Sequence, residues 1–274
     1  MTSPLATPSS PSSAPSWWQR PAFRRAAALA GAVALVGTGA WVVDSAAAMR
    51  TEAAMAQSIE QLSGLDTQPN VVVSSFPFLL TYSTHLVPRL SVESKDVSDP
   101  LFGMMNVRTE AHGVEVSTEQ LKNHDFAGAP AEWVGKTLRL DGVAMGTVFG
   151  MTDLDIMNPT DIFPTASPST EVQFTGTPQG FKDPVSVIAE LRIHKDTLRI
   201  TPTTVVAAPE GREEEALAAF SWSIDRSELP LVGDFDRFFC GGGSIYIESK
   251  KYQVTLDPKE FDPRFGRSGS TPGR

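Results

Sequence analysis

Val185-Ser186-Val187-Ile188-Ala189-Glu190-Leu191-Arg192-Ile193-His194 is the stretch that decides the fold. Its odd positions are apolar (Val185, Val187, Ala189, Leu191, Ile193), and Ser186, Glu190, Arg192 and His194 stand between them. Successive side chains on a strand point to opposite faces, so this pattern reads as a strand with one dry face and one wet face. One-sided strands of this kind belong to antiparallel sheets. Working outward, Leu138 to Val148 keeps apolar or small residues at even positions and Arg139, Asp141 and Thr147 at odd ones. Phe220, Trp222 and Ile224 alternate with Ser221, Ser223 and Asp225. Further strands are expected at Asn70–Ser75, Arg89–Val97, Met104–Val116, Thr170–Gly176, Thr197–Val206, Gly243–Glu248 and Tyr252–Leu256. His194–Thr197 and Glu248–Lys251 then read as hairpin turns.

Helices are few. Ala48, Met55, Ile59 and Leu62 share one side of a helix continuing from Asp44 to Leu65. Ser117 with Gln120 three residues on is a capping box that opens a short helix toward Asn123. Glu213-Glu214-Glu215 suits the positive end of another helix, or is a solvated face. The expected class is therefore α+β and β-dominated. Its body is a long antiparallel sheet, strongly curved or closed, packed on one or two helices. Three prolines break residues 158–169 into a loop.

The charge is unevenly spread. Residues 1–43 hold Arg20, Arg24 and Arg25 and none of the 32 acids, so the rest of the chain carries −12 of a total −9. After a Ser/Pro-rich leader, these arginines precede an uncharged run from Ala26 to Val43. As a helix that run is about 27 Å long, close to a bilayer core. Cations before an apolar run set the N-terminus in the cytoplasm, which puts the main domain on the extracytoplasmic side of the cytoplasmic membrane. Ala46 and Ala48 form a cleavage-like A-x-A site, but the continuing helix favours a retained anchor. The expected organisation is a disordered tail at 1–19, an anchor or signal segment at 20–45, a β-rich domain at 46–257 and a disordered tail at 258–274.

Composition and motifs exclude more than they select. The single cysteine, Cys240, rules out an internal disulfide and a cysteine-based zinc site. An acidic body offers no footprint for nucleic acid. No nucleophile elbow, S-x-x-K, H-E-x-x-H or phosphate loop is present, so no catalytic residue, cofactor or metal is expected. An enzyme reading, as an envelope hydrolase or glycan-modifying enzyme, would have to rest on Asp153, Asp155 and His194. A third reading is a scaffold for membrane enzymes, marked by an exposed apolar patch.

Ser74-Ser75-Phe76-Pro77-Phe78-Leu79-Leu80 puts an apolar cluster straight after a strand. Pro77 suits the first turn of a helix. A helix start that is apolar all round is either a core plug or faces lipid. Candidate linings for an apolar ligand are Phe76, Phe78, Leu79, Leu80, Leu191, Phe220 and Trp222. Candidate head-group contacts are Arg89, Lys95, Arg108 and Arg139.

The order of these segments resembles a family. The arginine-flanked span, Val43-Asp44, the Val71-Val72-Val73 strand, Phe76-Pro77-Phe78-Leu79, Asp96-Val97, Leu229-Pro230-Leu231 and Gly241-Gly242-Gly243 occur in the sequence of the actinobacterial LmeA-like phospholipid-binding proteins. The resemblance covers roughly residues 40–257. It departs at Ser75, where the family has a glycine before Phe-Pro-Phe, and within Thr81–Thr84, where it tends to have another. The resemblance implies an elongated β-rich fold with an internal apolar tunnel, akin to tubular lipid-binding proteins. It implies extracytoplasmic binding of phospholipid or phosphoinositide in support of envelope lipoglycan assembly, with envelope-biosynthesis enzymes as further partners, and no established catalytic residues.

Overall fold

The computed structural model describes residues 21–159 and 169–267. The expected tail at 1–19, residues 268–274 and most of the 158–169 loop lie outside them. The chain divides into two compact units, Met1–Ala46 and Ala47–Arg274. The first contains the leading part of α1 (Pro21–Ser63). Its uncharged run is exposed throughout, and α1 is long and apolar enough to cross a membrane.

The second unit is built from two antiparallel sheets. Six strands, β1 (Asn70–Ser74), β2 (Leu86–Asp99), β3 (Gly103–Glu115), β4 (Pro130–Asp141), β10 (Asp234–Gly241) and β11 (Ser244–Thr255), pair in the order β1-β2-β3-β4-β11-β10. Five more, β5 (Asp155–Met157), β6 (Ser169–Gly176), β7 (Val185–His194), β8 (Thr197–Ala207) and β9 (Trp222–Asp225), pair in sequence order. The fold is β-dominated, with a sheet curled into a half-barrel. Among the described residues it also has four short α-helices, α2 (Thr81–Thr84), α3 (Thr118–Asn123), α4 (Gly142–Phe149) and α5 (Glu213–Ala219). The capping box at Ser117 and Gln120 is formed, and the three glutamates open α5.

Two local expectations fail for identifiable reasons. The alternation from Leu138 stops being a strand at Asp141. There Asp141 Oδ1 accepts from the N–H groups of Val143 and Ala144, both at 3.0 Å, and starts α4. The small residues Gly142, Ala144 and Gly146 imitate a period of two without carrying one. The expected turn at Glu248–Lys251 is also absent, because β11 runs unbroken from Ser244 to Thr255.

The apolar face of the six-stranded sheet carries two clusters. One joins Met105, Val107, Leu138, Leu140, Phe238, Ile245 and Ile247 to the five-stranded sheet and α4. The other joins Met55, Ala56 and Ile59 of α1 to Val71, Val73, Phe78, Val87, Leu90, Val134 and Phe261. Between them runs a buried polar row, Thr109, Lys136 and Ser249, paired across β3, β4 and β11. Ser249 Oγ donates to the Lys136 carbonyl at 3.3 Å and accepts from Val232 N–H at 3.3 Å.

Residues 258–267 are not a loose tail. Glu260 and Phe261 are buried. Lys136 Nζ donates to the carbonyl oxygens of Asp262 (2.8 Å) and Phe265 (2.9 Å). Arg267 pairs with Asp99 at 2.8 Å. Pro, Gly and Arg suggest fraying in sequence, but here buried partners hold the segment down.

Candidate functional site

Three of the four expected head-group residues project from the polar face of the six-stranded sheet. Cross-strand register stacks them in rows. One row is Arg89, His112 and Trp133; the next outward-facing row is Ser91, Glu110 and Gly135, followed by Glu93, Arg108 and Thr137 and then by Asn106 and Arg139 beside Tyr246. Arg108 and Arg139 line one open groove of about 310 Å³ with Glu93, Glu110, Phe239 and Tyr246. Rings floor this face: His112 stacks on Trp133 at 3.9 Å, and Phe239 on Tyr246 at 4.7 Å. Lys95 is exposed beside a bulge in β2 and does not line the groove.

Most cations here are compensated. Arg108 pairs with Glu93 at 3.0 Å, Lys250 with Asp236 at 2.8 Å, and Arg237 with Glu248. The Glu248 bond holds the Arg237 pKa above its ordinary value. Arg139 differs. Its Nε donates to Ser244 Oγ at 3.1 Å and its guanidinium lies 5.9 Å from the Tyr246 ring, with no carboxylate partner among the described residues. Arg89 also has no carboxylate partner among the described residues, but Arg139 is the one of the two that lines the groove and could accept an anion there.

The apolar candidates scatter. Phe78 is buried in the cluster under α1. Leu191 and Phe220 are buried in the other cluster, where Trp222 packs with its ring 6.3 Å from Phe102. Phe76, Leu79 and Leu80 are exposed. An apolar crevice of about 50 Å³ opens elsewhere, between α1 and the end of β11, lined by Met55, Ile59, Phe126, Leu256 and Phe261 with Ser58, His124 and Asp125 at its rim. The helical spacing of Met55 and Ile59 was its one signal in the sequence; Phe126, Leu256 and Phe261 come from distant segments. The crevice and the Arg139 groove lie on opposite faces of the same sheet.

The Phe-Pro-Phe segment is built as a turn. The Phe76–Pro77 peptide is cis, and Pro77 precedes a 3-10 turn over Phe78–Leu80. Ser75 Oγ bonds Thr81 Oγ1 at 2.8 Å. His85, in the left-handed region at φ 55°, ends α2.

The residues of the enzyme reading are not brought together. Asp153 caps a loop, accepting from Thr177 N–H at 2.9 Å and Thr177 Oγ1 at 2.7 Å, bonds that hold its pKa below the ordinary value. Asp155 pairs with Thr175, which pairs with Ser186. His194 stands at the other end of β7, roughly 25 Å further along at a strand's rise per residue. Burial raises the Cys240 thiol pKa to about 11, which leaves it a small core hydrophobe at neutral pH. Among the described residues, no three His, Cys, Asp or Glu side chains are grouped to hold a metal ion.

The profile of the LmeA-like phospholipid-binding family matches residues 42–248. The chain belongs to that family. No curated protein and no solved structure matches it. The matched span starts near the end of the uncharged run and covers both sheets as far as the first part of β11. It includes the Arg139 groove, most of the crevice lining and the Phe-Pro-Phe turn, whereas Leu256 and Phe261 lie beyond it.

Proposed function

We propose that this chain is a bilayer-tethered phospholipid-binding protein whose main domain works on the extracytoplasmic side in support of envelope lipoglycan assembly, without catalysis. The observation that carries the reading is the family match over 42–248, which takes in the end of an apolar helix and a curled sheet with a largely apolar inner face. The arginines before the uncharged run support the orientation. Acyl chains enter the interior at the Met55–Phe261 crevice. The crevice holds about 50 Å³, so chain uptake requires α1 and the strap at 258–267 to move off the sheet. Each buried methylene contributes about 0.8 kcal/mol, so acyl burial supplies most of the affinity of an acidic protein for an anionic lipid. Arg139, with Arg108 and Arg89 on the same face, takes the anionic group of a phospholipid or phosphoinositide presented at the polar surface. The two candidate sets face opposite sides of one sheet, and the reading assigns them separately.

The test is native mass spectrometry of the full chain in detergent, after incubation with phosphatidylinositol and phosphatidylethanolamine. The expected result is one retained phospholipid per chain, lost when Ile59→Trp fills the crevice. A chain that retains no phospholipid over detergent background refutes the reading. For the polar face, Arg139→Gln is expected to weaken binding of soluble glycerophosphoinositol while leaving lipid retention intact.

A further inference from the structure

The turn that follows β1 groups several exposed apolar side chains of the second unit. Phe76 is 79% exposed and Leu80 52%, with Leu79 and Leu86 also exposed beside them. Beneath them Phe78 is buried and Thr81 is fully enclosed, so the turn is anchored rather than loose. No Asp, Glu, Lys or Arg occurs between Asp66 and Arg89, a charge-free span in a body that otherwise carries −12.

The position of this tip follows from the contacts. Val73 N–H donates to Glu52 Oε1 at 2.9 Å, and Thr51 Oγ1 bonds His124 Nδ1 at 2.9 Å. The end of β1 therefore stands level with Glu52 of α1, five residues past Ala47. Phe76 to Leu80 continue beyond that level. Ala47, Ala48 and Tyr82 pack on the same cluster as Phe78. The exposed apolar tip thus lies at the end of the domain where the chain enters at Ala47, directly after the uncharged run.

We infer that Phe76, Leu79, Leu80 and Leu86 form a second membrane contact, a tip that inserts into the bilayer to which α1 tethers the chain. The occupant is the lipid surface because the entering chain delivers that surface to this end. The absence of charge removes the repulsion that the acidic body would otherwise meet at an anionic leaflet. Apolar side chains flanking a tether lodge at the boundary of head groups and acyl chains, about 5–10 Å deep. A two-point contact fixes the domain's orientation on the bilayer. The inference rests on the tethered reading of the proposed function and extends it.

The test uses the full chain in vesicles of phosphatidylcholine and phosphatidylglycerol, with or without dibrominated acyl chains. Cys240 is buried, so a bimane label goes to an introduced cysteine. Labels at Phe76→Cys and Leu80→Cys are expected to be quenched by the brominated lipid. A label at Gln68→Cys, beyond the far end of α1, is expected to keep its emission. Phe76→Ser/Leu80→Ser is expected to abolish quenching of a label at Leu86→Cys, with circular dichroism unchanged. A quenched Val36→Cys label with unquenched tip labels overturns the inference and leaves the tether standing. An unquenched Val36→Cys label overturns both. Tip labels that resist lipid quenching but crosslink between chains make the tip a self-association surface, which also overturns the inference.

Discussion

Replacing Lys136 by methionine should abolish a specific dependence of stability on pH. Lys136 is buried on the inner face of β4, and burial lowers its pKa from 10.5 to about 7 despite the opposing pull of Asp262 and Glu260. Its amine still donates to two carbonyl oxygens of the C-terminal strap. Between pH 7 and 10.5 the unfolded chain holds this proton and the folded chain does not, so stability rises with pH across that window. Below pH 7 both states are protonated and the cost of burying the charge is constant. Integrated from pH 7 to pH 9, the gain is about 2 kcal/mol. For a domain of this size that raises Tm by about 4–8 °C. Cys240 acts in the opposite sense. Its folded pKa is raised to about 11, so its contribution is lost as pH rises from the ordinary 9.0 through that value. The thiol is present in both proteins and cancels in their difference. The assay is thermal unfolding of the full chain in detergent, followed by circular dichroism from pH 6.5 to 9.5, for wild type and Lys136→Met. The wild type should gain on the variant as pH rises. Parallel curves would refute the claim that a charged lysine is being forced into the core.

Other consequences are simpler to check. Cys240 should resist iodoacetamide at pH 8 in the folded protein and react in denaturant; rapid native labelling would mean that β10 opens or is misplaced. Gly142→Ala places a Cβ 2.2 Å from the Leu154 carbonyl oxygen, so α4 must shift. The expected loss is about 1–3 kcal/mol in denaturant titration, and an unchanged midpoint would contradict the close packing of α4 on that loop. Ser117→Ala removes the cap of α3 and should cost about 1 kcal/mol by the same measurement, with Ser117→Asp retaining most of the stability.

The strands were legible wherever one face stayed apolar along their length. Val185–His194 has buried Val185, Val187, Ala189 and Leu191, and only Ile193 at the end is half-exposed. The reading broke down at the polar row. In β11, Ile245 and Ile247 face inward, but Ser249 stands at the next inward position, so Glu248–Lys251 looks like an uninterrupted polar turn. In β4 the inward series is Val134, Lys136, Leu138 and Leu140, and the lysine hid the strand's first half. One buried polar row thus accounts for both errors. β10 escaped notice because Asp234, Asp236 and Arg237 give its first half no apolar face.

The candidate site was legible only in part. Arg89, Arg108 and Arg139 share a face because each stands at an outward position, and alternation reveals that. Which of them has a carboxylate partner depends on the neighbouring strand, so register alone distinguishes Arg139 from Arg108. Phe76 to Leu80 form one apolar unit in sequence; the turn divides them, burying Phe78 and exposing Phe76 and Leu80.

By itself the sequence determined the class of fold, the apolar span with its arginine flank, the acidic body and the family pattern. These are properties of local periodicity and of charge summed along the chain, and they need no partner. Tertiary structure alone decided the fate of Lys136, the separation of Asp155 from His194, the crevice beneath α1 and the placement of the Phe76 tip at the chain's entry into the domain. Each of these depends on which distant segment supplies the other side of a contact, and burial, pKa and ion pairing are set by that second surface.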